Sequence, residues 1–464
     1  MVFSSILFLF YFLPTILILY YLAPKSKKNA VLFFGSLFFY AWGEPVYVLL
    51  LVFSTVFNYF IGLQIEKSDE NKKRKKAVLT IGVVLNLALL IVFKYTNFLI
   101  ETLNLVLTHD IPLTKITLPI GISFFTFQTM SYIVDVYRKN AKAQRNYINF
   151  GTYVALFPQL IAGPIVRYNS IDEQLTKRRE TIEGFTKGVI CFSSGLAKKV
   201  LIANNIGLLW ESISATPMTE MSVLGSWLGV VAYALQIYFD FSGYSDMAIG
   251  LGKMFGFEFE KNFDYPYVSK SITEFWHRWH ISLSTWFKEY VYIPLGGNRK
   301  GKVRTYLNLL VVWTLTGIWH GAGMNFVAWG LYYAIILILE KSILYKALEK
   351  MPSVIRMIYS FVLVLVGWVL FASNDMQSAM SYLKVMFAIG ENPVADGMFM
   401  YNLRSYALLL VIGIFASFPY PKKLWNKYTE NKNAVLLIAV MVVLLICTAY
   451  LIDSSYNPFL YFRF

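Results

Sequence analysis

The stretch TYLNLLVVWTLTGIWHGAGMNFVAWGLYYAIILIL (305–339) decides the fold. It contains no acidic side chain, no lysine and no arginine, so that the imidazole of His320 is its only basic group. As one straight helix it would measure ~52 Å, which is too long for a single crossing of a ~30 Å hydrocarbon layer. We therefore predict two membrane helices that meet at a break at 321–323. His320 then lies at a helix end, inside the protein or near its outer half.

The rest of the chain is similarly apolar. Hydrophobic residues make up 57% of the 464 residues and charged residues 15%, which indicates an integral membrane protein. Further runs long enough to span a bilayer are 3–22, 77–93, 118–136, 222–239, 354–371, 406–418 and 434–452. Because the short alternating segments of a β-barrel are absent, we predict an all-α polytopic protein with about 10–12 transmembrane helices plus re-entrant and interfacial helices.

The basic residues indicate the topology. Lysine and arginine cluster in short loops, which the positive-inside rule assigns to the cytoplasm, whereas few cations occur at 108–114, 374–396 and 453–464. With a turn at 42–45, this pattern predicts that both termini lie outside. We expect one transmembrane domain over 1–464 and a first apolar run that is retained as a span.

Several classes of site and partner are disfavoured. Topology and contact with anionic lipid headgroups account for most of the net charge of +15, and a smaller share could attract an anionic cytosolic donor. The cations are too scattered to predict nucleic-acid binding. Cys191 and Cys447 are too far apart in sequence for a CxxC site, and HExxH, GxSxG and Walker motifs are absent. We predict neither a metal site nor a bound cofactor.

A second segment, SITEFWHRWHISLSTWFKEYVYIP (271–294), contains two of the four histidines. Its aromatic residues recur at helical spacing, which predicts one amphipathic helix at the cytoplasmic interface or dipping into the protein. His280 lies at the edge of the apolar face and His277 on the polar face, so we expect only His280 to face the interior. His109 lies in a surface loop. A core histidine at 280 and a helix-end cap at 320 are the structural alternatives.

Polar residues also interrupt the apolar run QIYFDFSGYSDMAIG (236–250). Asp240 and Asp246 need cationic partners such as Lys198, Lys199 or Arg278, or must be protonated; both ion pairing and a role in a substrate site stay open. Gly243 is the expected kink of this helix. The segment FPQLIAGPIVRY (157–168) contains glycine and proline within an apolar run, which predicts a re-entrant segment.

The two histidine segments, FWHRWHISLSTWFKEYVYIPLGGNRKG (275–301) and TGIWHGAGMNFVAWG (316–330), resemble the signature regions of the membrane-bound O-acyltransferase (MBOAT) family, in its bacterial branch of alginate O-acetyltransferase-like proteins. The similarity extends to FYAWGEPVY (39–47), PIGISFFTFQTMSYIVDVYR (119–138) and YNPFLYFRF (456–464), and so covers essentially the whole chain. His320 matches the family's essential histidine and His280 its second signature residue. Neither motif departs from the pattern.

The resemblance implies a shell of helices around a thinned centre, which is open to an acyl thioester from the cytoplasm and to a hydroxyl acceptor from outside. His320 is then the general base, and His280 positions the thioester or stabilises the oxyanion. We expect direct transfer without an acyl-enzyme. The predicted substrate-binding residues are Trp276, Ser284, Trp319, Asn325, Asp240 and Asp246.

The predicted function is transfer of an acyl group, most simply acetyl, in a bacterial inner membrane. The donor is acetyl-CoA or an acyl carrier protein, and the acceptor is an extracytoplasmic polysaccharide, a cell-wall glycan or a partner acetyltransferase. D-alanyl transfer towards teichoic acid is the alternative, which the greater length of the chain and the loop at 374–396 disfavour. A proton-coupled transporter or flippase that uses the histidines with Asp240 and Asp246 is a further alternative, although the halves show no convincing repeat.

Overall fold

The computed structural model describes residues 1–107, 109–429, 433–453 and 456–458. Within these ranges the chain is helical and contains no β-strand, as the all-α prediction requires. The first ten α-helices are α1 Leu13–Leu22, α2 Lys28–Gly43, α3 Val48–Lys67, α4 Lys72–Asn104, α5 Ile122–Arg138, α6 Tyr147–Ala155, α7 Phe157–Leu160, α8 Tyr168–Lys177, α9 Ile182–Ala197 and α10 Asn204–Ser214. The remaining helices are α11 Val223–Met254, α12 Ile272–Arg278, α13 Ile281–Phe287, α14 Lys302–His320, α15 Met324–Leu339, α16 Tyr345–Lys350, α17 Ser353–Ala372, α18 Met376–Met386, α19 Gly397–Ala416, α20 Pro419–Thr429 and α21 Asn433–Asp453.

Eight helical stretches of the described chain are long and apolar enough to cross a membrane. They are Val48–Lys67, Lys72–Asn104, Ile182–Ser214, Val223–Met254, Met324–Lys350, Ser353–Ala372, Gly397–Ala416 and Ala434–Asp453, and a shorter apolar helix covers Phe8–Leu22. The protein is therefore a multi-pass membrane protein. The count of about 10–12 spans depends on the shorter helices and stays a prediction, as does the sidedness of the loops. The predicted outer segments 108–114 and 453–464 lie partly outside the described residues.

Contacts within the chain divide it into two compact units. Unit 1 comprises Met1–Phe192 and Tyr244–Glu260, and unit 2 comprises Ser193–Gly243 and Lys261–Phe464. Two of the boundaries fall inside the continuous helices α9 and α11. This division does not test the expectation of one domain over 1–464, which stays a prediction.

Unit 1 contains the predicted re-entrant segment. The short helix α7 is followed by irregular backbone over 161–167, and 161–166 are buried. Gly163 permits the chain to fold back here, because a Cβ at this position would lie 2.5 Å from the Cα of Gln159. The hydroxyl of Tyr153 donates to the carbonyl oxygen of Val166 at 3.1 Å and so satisfies a backbone group of the irregular segment. The expected turn near 42–45 is also present, between α2 and α3.

In unit 2, the prediction of one amphipathic helix over 271–294 is wrong. The helix breaks at Trp279, which is extended, and at His280, which is left-handed with φ 47° and ψ 54°. Hydrogen bonds to the neighbouring loop at 261–264 stabilise the break. The Asp264 N–H donates to the Arg278 carbonyl at 2.9 Å, and the Ile281 N–H donates to the Asn262 carbonyl at 3.0 Å. These bonds satisfy backbone groups at the helix break.

Helix α11 is continuous through Gly243, and the kink expected there stays a prediction. The glycine permits close packing, because a Cβ there would lie 2.7 Å from the carbonyl oxygen of Gly195. The break at 321–323 is confirmed, since α14 ends at His320 and α15 begins at Met324. These two helices pack closely at glycines: a Cβ on Gly317 would lie 2.3 Å from the Phe326 carbonyl oxygen.

Candidate active site

His320 is the last residue of α14 and lies where the two helices of the hairpin meet. Gly321 follows in an extended conformation and ends the helix. Only 6% of His320 is exposed. The imidazole is thus buried in unit 2 at a chain reversal, as the sequence predicted.

Aromatic rings surround this imidazole. The ring of Trp329, on α15, lies 5.0 Å from it, centroid to centroid, at 79°, and the ring of Phe371, on α17, lies 5.2 Å away at 80°. Trp319 lies 4.9 Å away at 78°. Edge-to-face contacts of this kind restrain the plane of a ring. Aromatic packing therefore contributes to the orientation of His320.

His280 also lies in unit 2 and is 1% exposed. Its ring stands edge-on to Phe241 of α11, at 4.8 Å and 88°, and lies 6.2 Å from Trp319. The residue is outside the candidate membrane spans, and burial lowers the pKa of its imidazole to about 3. His280 is therefore neutral near pH 7. The sequence-based expectation that it faces the interior is confirmed, and His277, three residues earlier, is exposed.

Polar contacts help to orient His280. Its Nδ1 lies 3.3 Å from the amide oxygen of Asn262 and 3.5 Å from the hydroxyl of Ser282. The same amide oxygen accepts hydrogen bonds from the Ser282 N–H, at 3.1 Å, and from the Ser282 hydroxyl, at 2.9 Å. The loop at 261–264 thus holds the break between α12 and α13 and the imidazole at that break.

Trp319 connects the two histidines, because its indole ring contacts both imidazoles. Trp276, on α12, belongs to the adjacent aromatic cluster and lies 5.5 Å from Trp329 at 88°. The indole nitrogens of Trp276 and Trp329 are buried, and neither donates to an acceptor among the described residues. Two N–H donors are therefore available beside the ring cluster that surrounds His320.

Glu340 fixes the position of α12. Its carboxylate accepts hydrogen bonds from the N–H groups of Ile272, at 2.7 Å, and Thr273, at 2.9 Å, and from the Thr273 hydroxyl at 2.7 Å. A carboxylate at a helix N-terminus satisfies donors that have no partner within the helix. Glu340 lies in the π-helical turn Glu340–Leu344, which follows α15. Its hydrogen bonds therefore connect the segment 271–294 to the end of α15.

The other predicted site residues lie in varied surroundings. Ser284 is half-buried, and its hydroxyl donates to the Trp276 carbonyl at 3.2 Å. Asn325 donates to the carbonyl of Ser373 at 2.8 Å, at the end of α17. Both side chains thus stabilise the backbone around the aromatic cluster, and their proposed contact with substrate stays a prediction.

The two aspartates of α11 belong to different units. Asp240, in unit 2, forms an ion pair with Lys199 at 2.6 Å, with both side chains 3% exposed, so that the expected pairing with Lys199 is confirmed. It precedes Phe241, the residue whose ring contacts His280. Asp246 belongs to unit 1, where its carbonyl oxygen accepts a hydrogen bond from Cys191 Sγ at 3.3 Å.

Sequence reasoning did not find Asn262, Phe241, Trp329, Phe371 or Glu340. Asn262 lies in the irregular segment EFEKNFDYPYV (258–268), where no periodicity marks a buried amide. One signal was present for Glu340, which ends a long uncharged stretch and so had to find partners near the membrane.

Several known membrane proteins are similar to this chain in sequence. The sequence profile described as "MBOAT, membrane-bound O-acyltransferase family" matches residues 37–376. The probable alginate O-acetylase AlgI of Azotobacter vinelandii is 40% identical over the full length of both chains. The peptidoglycan O-acetyltransferase of Helicobacter pylori is 33% identical over 100% of this chain and 98% of its own. The teichoic acid D-alanyltransferase of Bacillus subtilis is 28% identical over 47% of this chain and 58% of its own.

The chain belongs to the membrane-bound O-acyltransferase family. The family match includes both histidine segments, and therefore α14, which ends in His320, and α15. The protein is accordingly an O-acyltransferase embedded in a membrane by several apolar helices.

Proposed function

We propose that this protein transfers an acetyl group from a cytosolic thioester, acetyl-CoA, to a hydroxyl of an extracytoplasmic polysaccharide in a bacterial inner membrane. The transfer is direct or passes through a partner acetyltransferase. Relatives named as alginate O-acetylases align over the whole chain, which supports an acetyl donor and a polysaccharide acceptor. The thioester is a substrate, and the proposal needs no bound cofactor.

One observation carries the proposal: the two buried imidazoles of unit 2 contact the same indole, that of Trp319. Burying two histidines costs free energy, and such residues in a membrane protein commonly mark a site of chemistry. The contacts of the two imidazoles include aromatic rings at both and an amide and a hydroxyl at His280. In the proposed reaction a neutral imidazole accepts a proton.

In the proposed reaction His320 is the general base. The acceptor hydroxyl gives its proton to a ring nitrogen of His320 as its oxygen forms a bond to the thioester carbonyl carbon. The carbon–sulfur bond then breaks, and the imidazolium returns the proton to the departing thiolate. The products are an ester and a free thiol, and His320 is neutral again. General-base catalysis of this kind contributes roughly 10² to 10⁴ in rate.

The negative charge that develops on the carbonyl oxygen needs hydrogen-bond donors. The indole N–H groups of Trp276 and Trp329 fit this role, because both are buried beside the site and donate to no acceptor among the described residues. A donor of this kind contributes about 10² to 10³ in kcat. His280 contributes to the site from the break between α12 and α13.

D-alanyl transfer from a carrier-protein thioester is the second candidate. Its support is the similarity to teichoic acid D-alanyltransferases, which covers about half of this chain at 28% identity. The same two histidines would serve this reaction, because it too moves an acyl group from a thioester to a hydroxyl. The choice of donor therefore needs a direct experiment.

The experiment uses full-length protein in liposomes with a soluble polysaccharide acceptor. One reaction receives acetyl-CoA labelled in the acetyl group, and another receives a carrier protein loaded with labelled D-alanine. The variant His320→Ala tests the base, and His277→Ala is the matched control, since His277 is exposed in the neighbouring segment.

We expect labelled ester on the polysaccharide from acetyl-CoA, with wild-type activity in His277→Ala and loss in His320→Ala. Preference for the D-alanyl carrier would replace the first candidate by the second. Label that crosses the membrane without forming an ester, at a rate unchanged in His320→Ala, would indicate a transporter and contradict both.

A further inference from the structure

The amide oxygen of Asn262 is the centre of a small buried network around His280. It accepts from the N–H and the hydroxyl of Ser282, at 3.1 Å and 2.9 Å, and lies 3.3 Å from Nδ1 of His280. Asn262 is 1% exposed, and its backbone carbonyl accepts from the Ile281 N–H at 3.0 Å. Side chain and backbone of this residue thus both hold the turn that contains His280.

The orientation of the Asn262 amide is fixed by its partners. A backbone N–H is always a donor, so the atom of Asn262 that faces the Ser282 N–H must be the oxygen. Turning the amide around would bring its NH₂ group against that donor. The atom beside His280 Nδ1 is therefore a hydrogen-bond acceptor.

The tautomer of His280 follows from this orientation. A neutral imidazole carries hydrogen on one ring nitrogen only. If Nδ1 were unprotonated, its lone pair would face the amide oxygen at 3.3 Å. Two hydrogen-bond acceptors would then face each other in a buried site, which is unfavourable. We propose that Asn262 is a positioning residue that holds His280 with its hydrogen on Nδ1, so that Nε2 accepts a hydrogen bond from a substrate O–H or N–H group. The proposal rests on the proposed function in one respect, that His280 belongs to the substrate site.

The backbone of His280 supports a positioning role. The left-handed conformation, φ 47° and ψ 54°, is unfavourable for a non-glycine residue, and such strain is retained where surrounding contacts enforce it. Here the Ile281 N–H bonds to Asn262, and the Ser284 N–H bonds to the His280 carbonyl at 3.1 Å. The same loop thus fixes the backbone and the ring of one residue.

This tautomer changes the role that sequence reasoning gave to His280. A ring whose only N–H is directed at Asn262 cannot also donate to the oxyanion. It can accept from the hydroxyl of the acceptor sugar or from an amide N–H in the pantetheine arm of the donor. Oxyanion stabilisation then falls to other donors, among which are the indoles of Trp276 and Trp329.

The first test measures the tautomer in the native protein. The chain has four histidines, so ¹⁵N solid-state NMR of the full-length protein in lipid, labelled only at histidine, gives few signals. His280→Asn assigns the signal of His280 by its disappearance. We expect a protonated Nδ1 and an unprotonated Nε2 at pH 7, and the opposite tautomer would overturn the proposal. Because this readout does not depend on turnover, it can fail while the proposed function holds.

Variants of Asn262 test the cause. Asn262→Ala removes the acceptor and should let the Nε2–H tautomer appear. The matched control is Asn308→Ala, because Asn308 is another buried amide of unit 2, which bonds to the Gly297 carbonyl at 2.9 Å. The control should leave the His280 signals unchanged. A tautomer that is unchanged in a folded Asn262→Ala protein would contradict the assignment to Asn262.

Asn262→Asp provides a readout in activity. A carboxylate keeps the acceptor but adds a charge, which should raise the pKa of His280 by about 1 to 3. The contacts of the ring in the native protein include Asn262, Ser282, Phe241 and Trp319, none of which carries a charge. Because activity requires neutral His280, the acid limb of the pH profile should move upward. An unshifted profile in folded protein would contradict the role of Asn262.

His280→Leu identifies the substrate group. A raised KM for the polysaccharide with an unchanged KM for acetyl-CoA assigns the acceptor hydroxyl, and the reverse assigns a pantetheine amide. If neither KM changes, Nε2 binds no substrate group and that part of the proposal is wrong.

Discussion

The surroundings of His280 and His320 differ in the way that they hold an imidazole. At His280 an amide and a hydroxyl lie beside Nδ1, and the backbone is strained. At His320 three aromatic rings enclose the side chain at the end of a regular helix. The first arrangement commits a ring nitrogen to the protein. The second packs aromatic rings around a side chain that, in the proposed reaction, gains and loses a proton. The proposal accordingly gives the two histidines different parts.

The largest expected effect concerns the ion pair between Lys199 and Asp240, the residue that precedes Phe241. Lys199→Met should destabilise the protein by about 3 to 5 kcal/mol, because it removes the cation that is paired with the buried carboxylate of Asp240. Combining it with Asp240→Leu should recover most of this loss. Thermal unfolding in detergent measures both. If the single variant unfolds like wild type, the charge pair does not support the helix that contacts His280.

The aromatic region offers a sharper test. Trp329→Phe keeps a ring beside His320 but removes the buried N–H, and we expect kcat to fall by about 10²-fold with little change in stability. Trp313→Phe is the control, since Trp313 packs in the same cluster, 4.6 Å from Trp276. Equal rates in the two variants would mean that Trp329 contributes packing alone.

The smallest effect separates shape from hydrogen bonding at position 280. His280→Asn should be about tenfold more active than His280→Leu, because asparagine can accept a hydrogen bond and tolerates the left-handed backbone. Initial rates at pH 7 with both substrates in excess make the comparison. Equal losses would show that the polar surroundings of His280 are structural.

The sequence predicted the features that depend on hydrophobic patterning. The two helices on either side of 321–323, the break between them and the burial of His320 follow from where charge is absent, and the burial of His280 follows from its place beside an apolar face. The sequence-based prediction failed at 271–294. Helical periodicity cannot reveal that the loop at 261–264 forms hydrogen bonds with the Arg278 carbonyl and the Ile281 N–H. Asn262 contacts the site through tertiary structure alone, and no periodicity in the local sequence marks such a partner. For Glu340 the only signal was its position at the end of a long uncharged stretch.

The most direct test of the central claim separates chemistry from binding at His320. Single-turnover transfer is measured at saturating acetyl-CoA and acceptor in wild type and His320→Ala, together with the Kd for acetyl-CoA. If His320 is the base, the rate falls by at least ~10²-fold while the Kd stays within about threefold. A variant that turns over at the wild-type rate when saturated, or that loses only affinity, would contradict the assignment.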